Sequence, residues 1–253
     1  MDRLSRTVRE QVALGRLLPL GAPEDGAWIT ERTAVAALRA VCAALPGVRL
    51  GRVNILPVPD GPVGPEVSPA APVGAVPHRP LRIEARFEAA LGEPLPVLAE
   101  RLRTALFAAA GDSGLGLPVR VVDLAVTGLV DDATALAGAP APPARPELAD
   151  DYGPASASDA PARPGTAAAV QAAVLSVPGV ARVTRRLAGH AGVHVHDSDG
   201  AQGSARYVRL QLSAAPSYRP LTVARAASTA ATQAATPGAP GPVSTAVLIT
   251  DLA

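Results

Sequence analysis

The chain has 253 residues, of which 48% are hydrophobic and only 2% aromatic, and its 23 basic and 22 acidic side chains leave a net charge of +1. That balance gives no electrostatic footprint for nucleic acid, and so few rings give no platform for stacked bases, so no nucleic-acid partner is expected. Every basic residue other than histidine is arginine, which excludes the standard P-loop, protein-kinase and pyridoxal sites, each built around a lysine. The single cysteine, Cys42, rules out an internal disulfide and fits a reducing compartment. No uncharged apolar run reaches the roughly 18 residues of a membrane span, and Met1 to Leu20 lacks the pattern of a secretory signal. A cytoplasmic protein is expected.

Residues 1–21 read as an N-terminal amphipathic helix. Leu4, Val8 and Val12 fall on one side, and Arg3, Arg6, Arg9 and Arg16 elsewhere; Pro19 and Gly21 stop it. The helix packs on its own domain in one reading. In the other, residues 1–20 make a peripheral contact with the inner face of the cell membrane.

A first module spans 22–130. Ile29 to Leu45 reads as a helix, closed by Pro46-Gly47. A strand follows over Val48 to Ile55. Leu81-Arg-Ile-Glu-Ala-Arg-Phe87 alternates apolar and charged residues and is the clearest strand of the chain. Pro94 opens a second helix with Leu95, Leu98, Leu102, Ala105 and Ala109 inward. Gly111 ends it, and Val119 to Val130 closes the module as a strand. Between the strands, 57–80 is a Pro-rich insertion expected to lack fixed structure, and a Pro/Ala-rich linker covers 131–164.

The second module, 165–253, repeats this order. Thr166 to Val177 is its first helix and Val180 to His196 holds one or two short strands. Tyr207 to Ser213 alternates, Pro220 opens a helix that is nearly all Ala and Thr on its inward side, and Val243 to Leu252 is the last strand. Leu45-Pro-Gly-Val48 recurs as Val177-Pro-Gly-Val180, and Pro94-Leu-x-Val97 recurs as Pro220-Leu-x-Val223. The expected fold is α+β: two tandem helix–strand–strand–helix–strand modules, each a small, mostly antiparallel sheet with two helices on one face.

These turns and core positions, together with Leu124-Ala-Val126 and Val247-Leu-Ile249, resemble the alkaline shock, or general-stress envelope, protein family of bacteria. The layout is also similar to actinobacterial proteins labelled as a nucleopolyhedrovirus p-ten family. The resemblance implies a non-enzymatic cytoplasmic scaffold or adaptor tied to the envelope stress response. It would act by self-association or by binding single-module relatives, and it carries over no catalytic residue, cofactor or metal.

The residues themselves offer few rivals to that reading. His190, His194 and His196, with Asp197 and Asp199, form the one cluster that suggests a metal, and hence a metal-dependent enzyme. The neighbouring Gly189, Gly192 and Gly200 favour a solvated hairpin loop instead. A small-ligand sensor with its cleft between the modules is a further alternative. Gly111-Asp-Ser-Gly114 copies the letters around a trypsin-like nucleophile, but the only upstream histidine is His78, in the Pro-rich insertion. Cys42 reads as a buried structural thiol. Trp28, either a core cap or an exposed anchor, and the basic run Arg182, Arg185 and Arg186 are the candidate interface residues.

Overall fold

A computed structural model of the chain describes residues 15–59, 61, 70–131, 165–186, 192–200 and 203–253. Along the chain the elements are β1 (Leu17–Leu20), β2 (Ala27–Thr30), α1 (Glu31–Cys42), β3 (Val48–Pro57), β4 (Leu81–Ala90), α2 (Leu95–Ala110), β5 (Val119–Val130), α3 (Thr166–Leu175), β6 (Val180–Val183), β7 (Val193–Gly200), β8 (Gly203–Ala214), α4 (Pro220–Ala235) and β9 (Val243–Leu252). They form two compact units that do not follow chain order. Described residues up to Thr33, those from 70 to 78 and those from 165 onward make one; residues 34–61 and 79–131 make the other.

The second of these carries a three-stranded sheet in the order β3-β4-β5, with β3 antiparallel and β5 parallel to β4. The alternation of β4 does what the sequence predicts: Leu81, Ile83, Ala85, Phe87 and Ala89 are buried, whereas Arg82, Glu84 and Glu88 are only half covered and Arg86 is exposed. On the open face, Arg49 pairs with Glu88, and Arg82 with Glu84. The buried stripe of α2 is Leu98, Leu102, Leu106 and Ala110, a repeat of four residues. Leu95, Ala105 and Ala109, expected inward, are only partly covered. Cys42 is fully buried, as expected, and burial pushes its thiol up to about 11, so it stays protonated at neutral pH.

The other unit has a six-stranded sheet in the order β1-β2-β9-β8-β6, with β7 also paired to β8. β6 pairs with residues 212–214 of β8 and β7 with residues 203–210, so the two short strands lie end to end along one edge. Helices α3 and α4 pack on each other, and α4 covers β8 and β9. The inward alanines of α4, Ala224, Ala227, Ala231 and Ala235, are fully buried there. This thin face of small side chains is consumed inside its own unit, against β8, β9 and α3.

The repeat is visible in three dimensions. At a constant offset of 125 residues, Leu98, Leu102, Leu106 and Ala110 of α2 correspond to Val223, Ala227, Ala231 and Ala235 of α4, all buried; the match of Pro94-Leu-x-Val97 with Pro220-Leu-x-Val223 is therefore one residue out of step, since Val97 is exposed and Val223 buried. Gly47 and Gly179, in the two Pro-Gly turns, both have positive φ (71° and 90°), and each accepts a backbone bond from the C-terminal end of the strand that enters the crossover, Ala90 N–H of β4 to Gly47 O and Ala215 N–H just after β8 to Gly179 O. A register shift follows Phe87–Val126 in one sheet and Leu212–Ile249 in the other.

Several expectations need correction. Each strand–helix–strand crossover makes its two strands parallel neighbours, so both sheets are mixed: three of the five described pairings of the six-stranded sheet are antiparallel, against one of two in the three-stranded sheet, and the α+β class stands. Residues 17–20 are a buried strand, not the end of an amphipathic helix; residues 1–14 lie outside the described residues. Trp28 and Ile29 belong to β2, and α1 starts only at Glu31, where the Thr30 hydroxyl accepts the Thr33 N–H as an N-cap. The boundary at residue 22 therefore fails: β1 and β2 complete the sheet of the C-terminal half. In the 57–80 insertion, residues 60 and 62–69 lie outside the described residues, whereas 70–78 run as a strap over the six-stranded sheet. Val76 N–H bonds Leu17 O at 2.9 Å, and Ala70 is fully buried against Leu17, Trp28, Ala246 and Leu248. Of the linker, all but residue 131 lies outside the described residues.

Candidate functional site

His194 and His196 occupy a strand, not a hairpin loop. Along β7, His194 and His196 point to the sheet face opposite the helices, while Val193 and Val195 point inward. The register sets His194 opposite Arg209 and His196 opposite Tyr207 on β8. The two imidazole centroids are 5.4 Å apart, and the Tyr207 ring lies 5.2 Å from His196. Arg209 Nε donates to Ala70 O of the strap at 3.1 Å, and Tyr207 continues into the apolar cluster around Trp28. Two imidazoles, a phenol and a guanidinium thus form one half-buried row. Among the described residues no group of three metal-ligating side chains gathers, and His190 lies outside them. Asp197 points the other way, to Arg206.

The remaining residues singled out in the sequence are dispersed. Trp28 is 1% exposed, with its indole N–H on Val76 O and its ring edge-on to His78 at 5.3 Å; it is a core residue, not an interface anchor. Arg182 pairs with Asp251 at 2.9 Å, both well solvated, a pair worth about 0–1 kcal/mol. Arg185 is exposed and Arg186 half-buried just beyond β6. Ser113 donates its hydroxyl to Ala108 O at the end of α2, which explains the Gly-Asp-Ser-Gly letters as a helix-ending turn.

Sequence reasoning missed a surface on the three-stranded unit. Along the outer flank of α2, Leu45, Pro96, Val97, Thr104, Ala105 and Ala108, with Glu100 and Arg101 at the rim, line an open, largely apolar groove of about 740 Å³. The matching flank of α4 carries Thr222 and Gln233 where α2 has Val97 and Ala108. Next to α2, β5 pairs only with β4 among the described strands, and Val121, Val126 and Leu129 stand exposed on it. The signal was present in the sequence as apolar residues that the four-residue stripe of α2 did not need. Which of them are covered depends on neighbours far along the chain.

Comparison with protein-family models, with curated proteins and with solved structures gives no match for this chain. No helix among the described residues is long and apolar enough to cross a membrane.

Proposed function

We propose that the protein is a non-enzymatic cytoplasmic scaffold or adaptor that works by association, with copies of itself or with single-module relatives, and that the three-stranded unit is its docking module. The resemblance to the alkaline shock family points the same way. The observation that carries the reading is the distribution of exposed apolar side chains. Of the ten large ones among the described residues, seven (Val41, Leu91, Val97, Phe107, Val121, Val126 and Leu129) belong to the three-stranded unit. Such a concentration of exposed apolar side chains on one unit supports a role in association, whereas isolated exposed residues need no explanation. Of the seven, Val97 lines the α2 groove, whose rim charges are already paired, Arg101 with Glu93 and Glu100 with Arg103, so a partner would not have to desolvate lone charges.

The test is light scattering on the full chain across a hundredfold range of concentration. The expected result is an oligomer that falls to monomer when Val97→Glu and Ala108→Glu place carboxylates in the groove. Both positions are solvated and lie on a helix that tolerates glutamate, so the fold survives the change. A chain that is strictly monomeric throughout and binds no single-module relative would overturn the proposal.

A further inference from the structure

The order β3-β4-β5 of one sheet matches β6 with β7, then β8, then β9 of the other, and beyond β9 the six-stranded sheet adds β2 and then β1. In the six-stranded sheet, β9 follows the crossover helix and is not an edge: β2 lies beside it in parallel, with Ala27, Trp28 and Ile29 opposite Val247, Leu248 and Ile249. In the three-stranded sheet β5 is the same strand. At a constant offset of 123 residues Leu124, Ala125 and Val126 correspond to Val247, Leu248 and Ile249, and in both sheets the register shift comes immediately after the third of them. Here no described strand lies beyond. The difference shows in burial: Ile249 is 0% exposed and Val126 is 45%.

We propose that the outer edge of β5 accepts an extended apolar segment of a partner polypeptide, added in parallel beside Leu124–Val126 as β2 is added beside Val247–Ile249. The molecule itself shows what covers such an edge. In the occupied copy the Val247 N–H donates to Gly26 O at 2.9 Å, and the period of two turns the Ile249 N–H the same way; Leu124 and Val126 hold those places on β5. The incoming β2 puts Ala27 and Ile29 on the helix side, both fully buried, and is preceded by Gly26, where a Cβ would sit 2.8 Å from Thr245 O. The partner chemistry follows: glycine, then apolar residues at alternate positions, small first and β-branched second. Main-chain bonds would hold it, with the helix-side shelf of Val126 and Leu129 selecting its side chains. The inference rests on the reading of the three-stranded unit as a docking module, but not on self-association through the groove.

The probe is a synthetic peptide, Gly-Ala-Trp-Ile-Thr-Glu-Arg, the sequence of residues 26–32, added to the full chain and followed by amide hydrogen exchange and NMR. At saturating peptide the Leu124 and Val126 amides are expected to exchange at least tenfold more slowly, with Ala125 unchanged. A spin label on the peptide N-terminus should broaden signals toward Val121, as parallel addition requires. Val126→Lys should weaken binding at least tenfold while Val247 and Ile249 stay protected. A peptide with aspartate in place of its isoleucine should lose as much on the unaltered protein, so the outcome does not depend on the variant folding. No slowing at millimolar peptide, equal binding by the aspartate peptide, or broadening toward Gly128 would overturn the proposal. So would protection of Leu124 and Val126 that rises with protein concentration alone, since the occupant would then be a second copy. Peptide binding by a strictly monomeric chain would leave this inference standing and remove the self-association reading; an oligomer indifferent to the peptide would do the reverse.

Discussion

Arg206 is 1% exposed, and a buried guanidinium is tolerable only when its donors are satisfied and its charge is matched. Both conditions hold. Nε and Nη2 grip the two carboxylate oxygens of Asp197 at 2.6 and 2.7 Å, Nη1 donates to Ala235 O and Pro237 O, and Nη2 also donates to Gly238 O. Ala235 is the last residue of α4, so the cation sits at the negative end of the helix dipole and bonds a carbonyl that the helix leaves without a partner. One side chain therefore fastens the hairpin of β7 and β8 to the end of the helix above it. Arg206→Met should cost about 3–5 kcal/mol in urea denaturation, because it strands Asp197 and the helix end together. Arg206→Lys should recover only part of that, since an ammonium cannot reproduce the two-pronged grip. A loss below about 1 kcal/mol for the methionine variant would show that the grip is decorative.

At the scale of elements, the strap of residues 70–78 is held by contacts that respond to acid. His78 is 8% exposed, and its Nε2 has no partner among the described residues. Burial holds its imidazole below the usual value, against a hydrogen bond to the Leu20 backbone and the charges of Asp25 and Glu24. Its neighbour Asp25 is held below the carboxylate range by the Arg225 guanidinium, bound at 2.7 and 2.8 Å. Both folded-state values are depressed, so in each case the unfolded chain binds more protons in the intervening window and stability rises with pH. The His78 contribution is complete above about pH 6.5 and declines as the pH falls below it; that of Asp25 is lost only further down, below about pH 4. The urea midpoint should therefore decline between pH 7 and 5, accompanied by a change in Trp28 fluorescence as the edge-on ring contact loosens. His78→Phe should flatten that decline, and an unaltered slope would clear His78 of the effect. The sequence disclosed those elements whose pattern is local. β4 and β8 alternate over enough residues to fix both type and inward face, and the Pro-Gly turns fix where the strands after them begin. It concealed β1 and β2, which are four residues each, with Pro19 inside the first. Proline is acceptable there because β1 is an edge, and the partner that makes β2 a strand, β9, lies more than 200 residues further along the chain. The histidine row was half legible: the spacing of His194 and His196 gave a shared face, but the glycines around them suggested a loop.

At the scale of the molecule, a repeat in sequence has not produced two units with sequential boundaries. The C-terminal half lacks a cover for β9, and the chain supplies it from residues 17–30, while the strap seals the opposite face around Trp28. Leu18, Leu20, Ala27 and Ile29 are all fully buried in that addition. At roughly 1.5–3 kcal/mol for each large apolar side chain removed from water, the segment supplies stabilisation comparable to the whole net stability of a small domain. Residues 165–253 alone, the module that sequence reasoning would excise, should therefore fail to give a cooperative thermal transition and should aggregate through the bared Val247–Ile249 edge. The same fragment with residues 15–33 joined ahead of it by a flexible linker should recover a single transition by circular dichroism. A fragment of 165–253 that melts cooperatively at the temperature of the full chain would refute the idea that β1 and β2 are integral to that unit. It would also remove the ground for treating the edge of β5, which no described strand covers, as the unusual one, since both crossover strands would then be stable as edges.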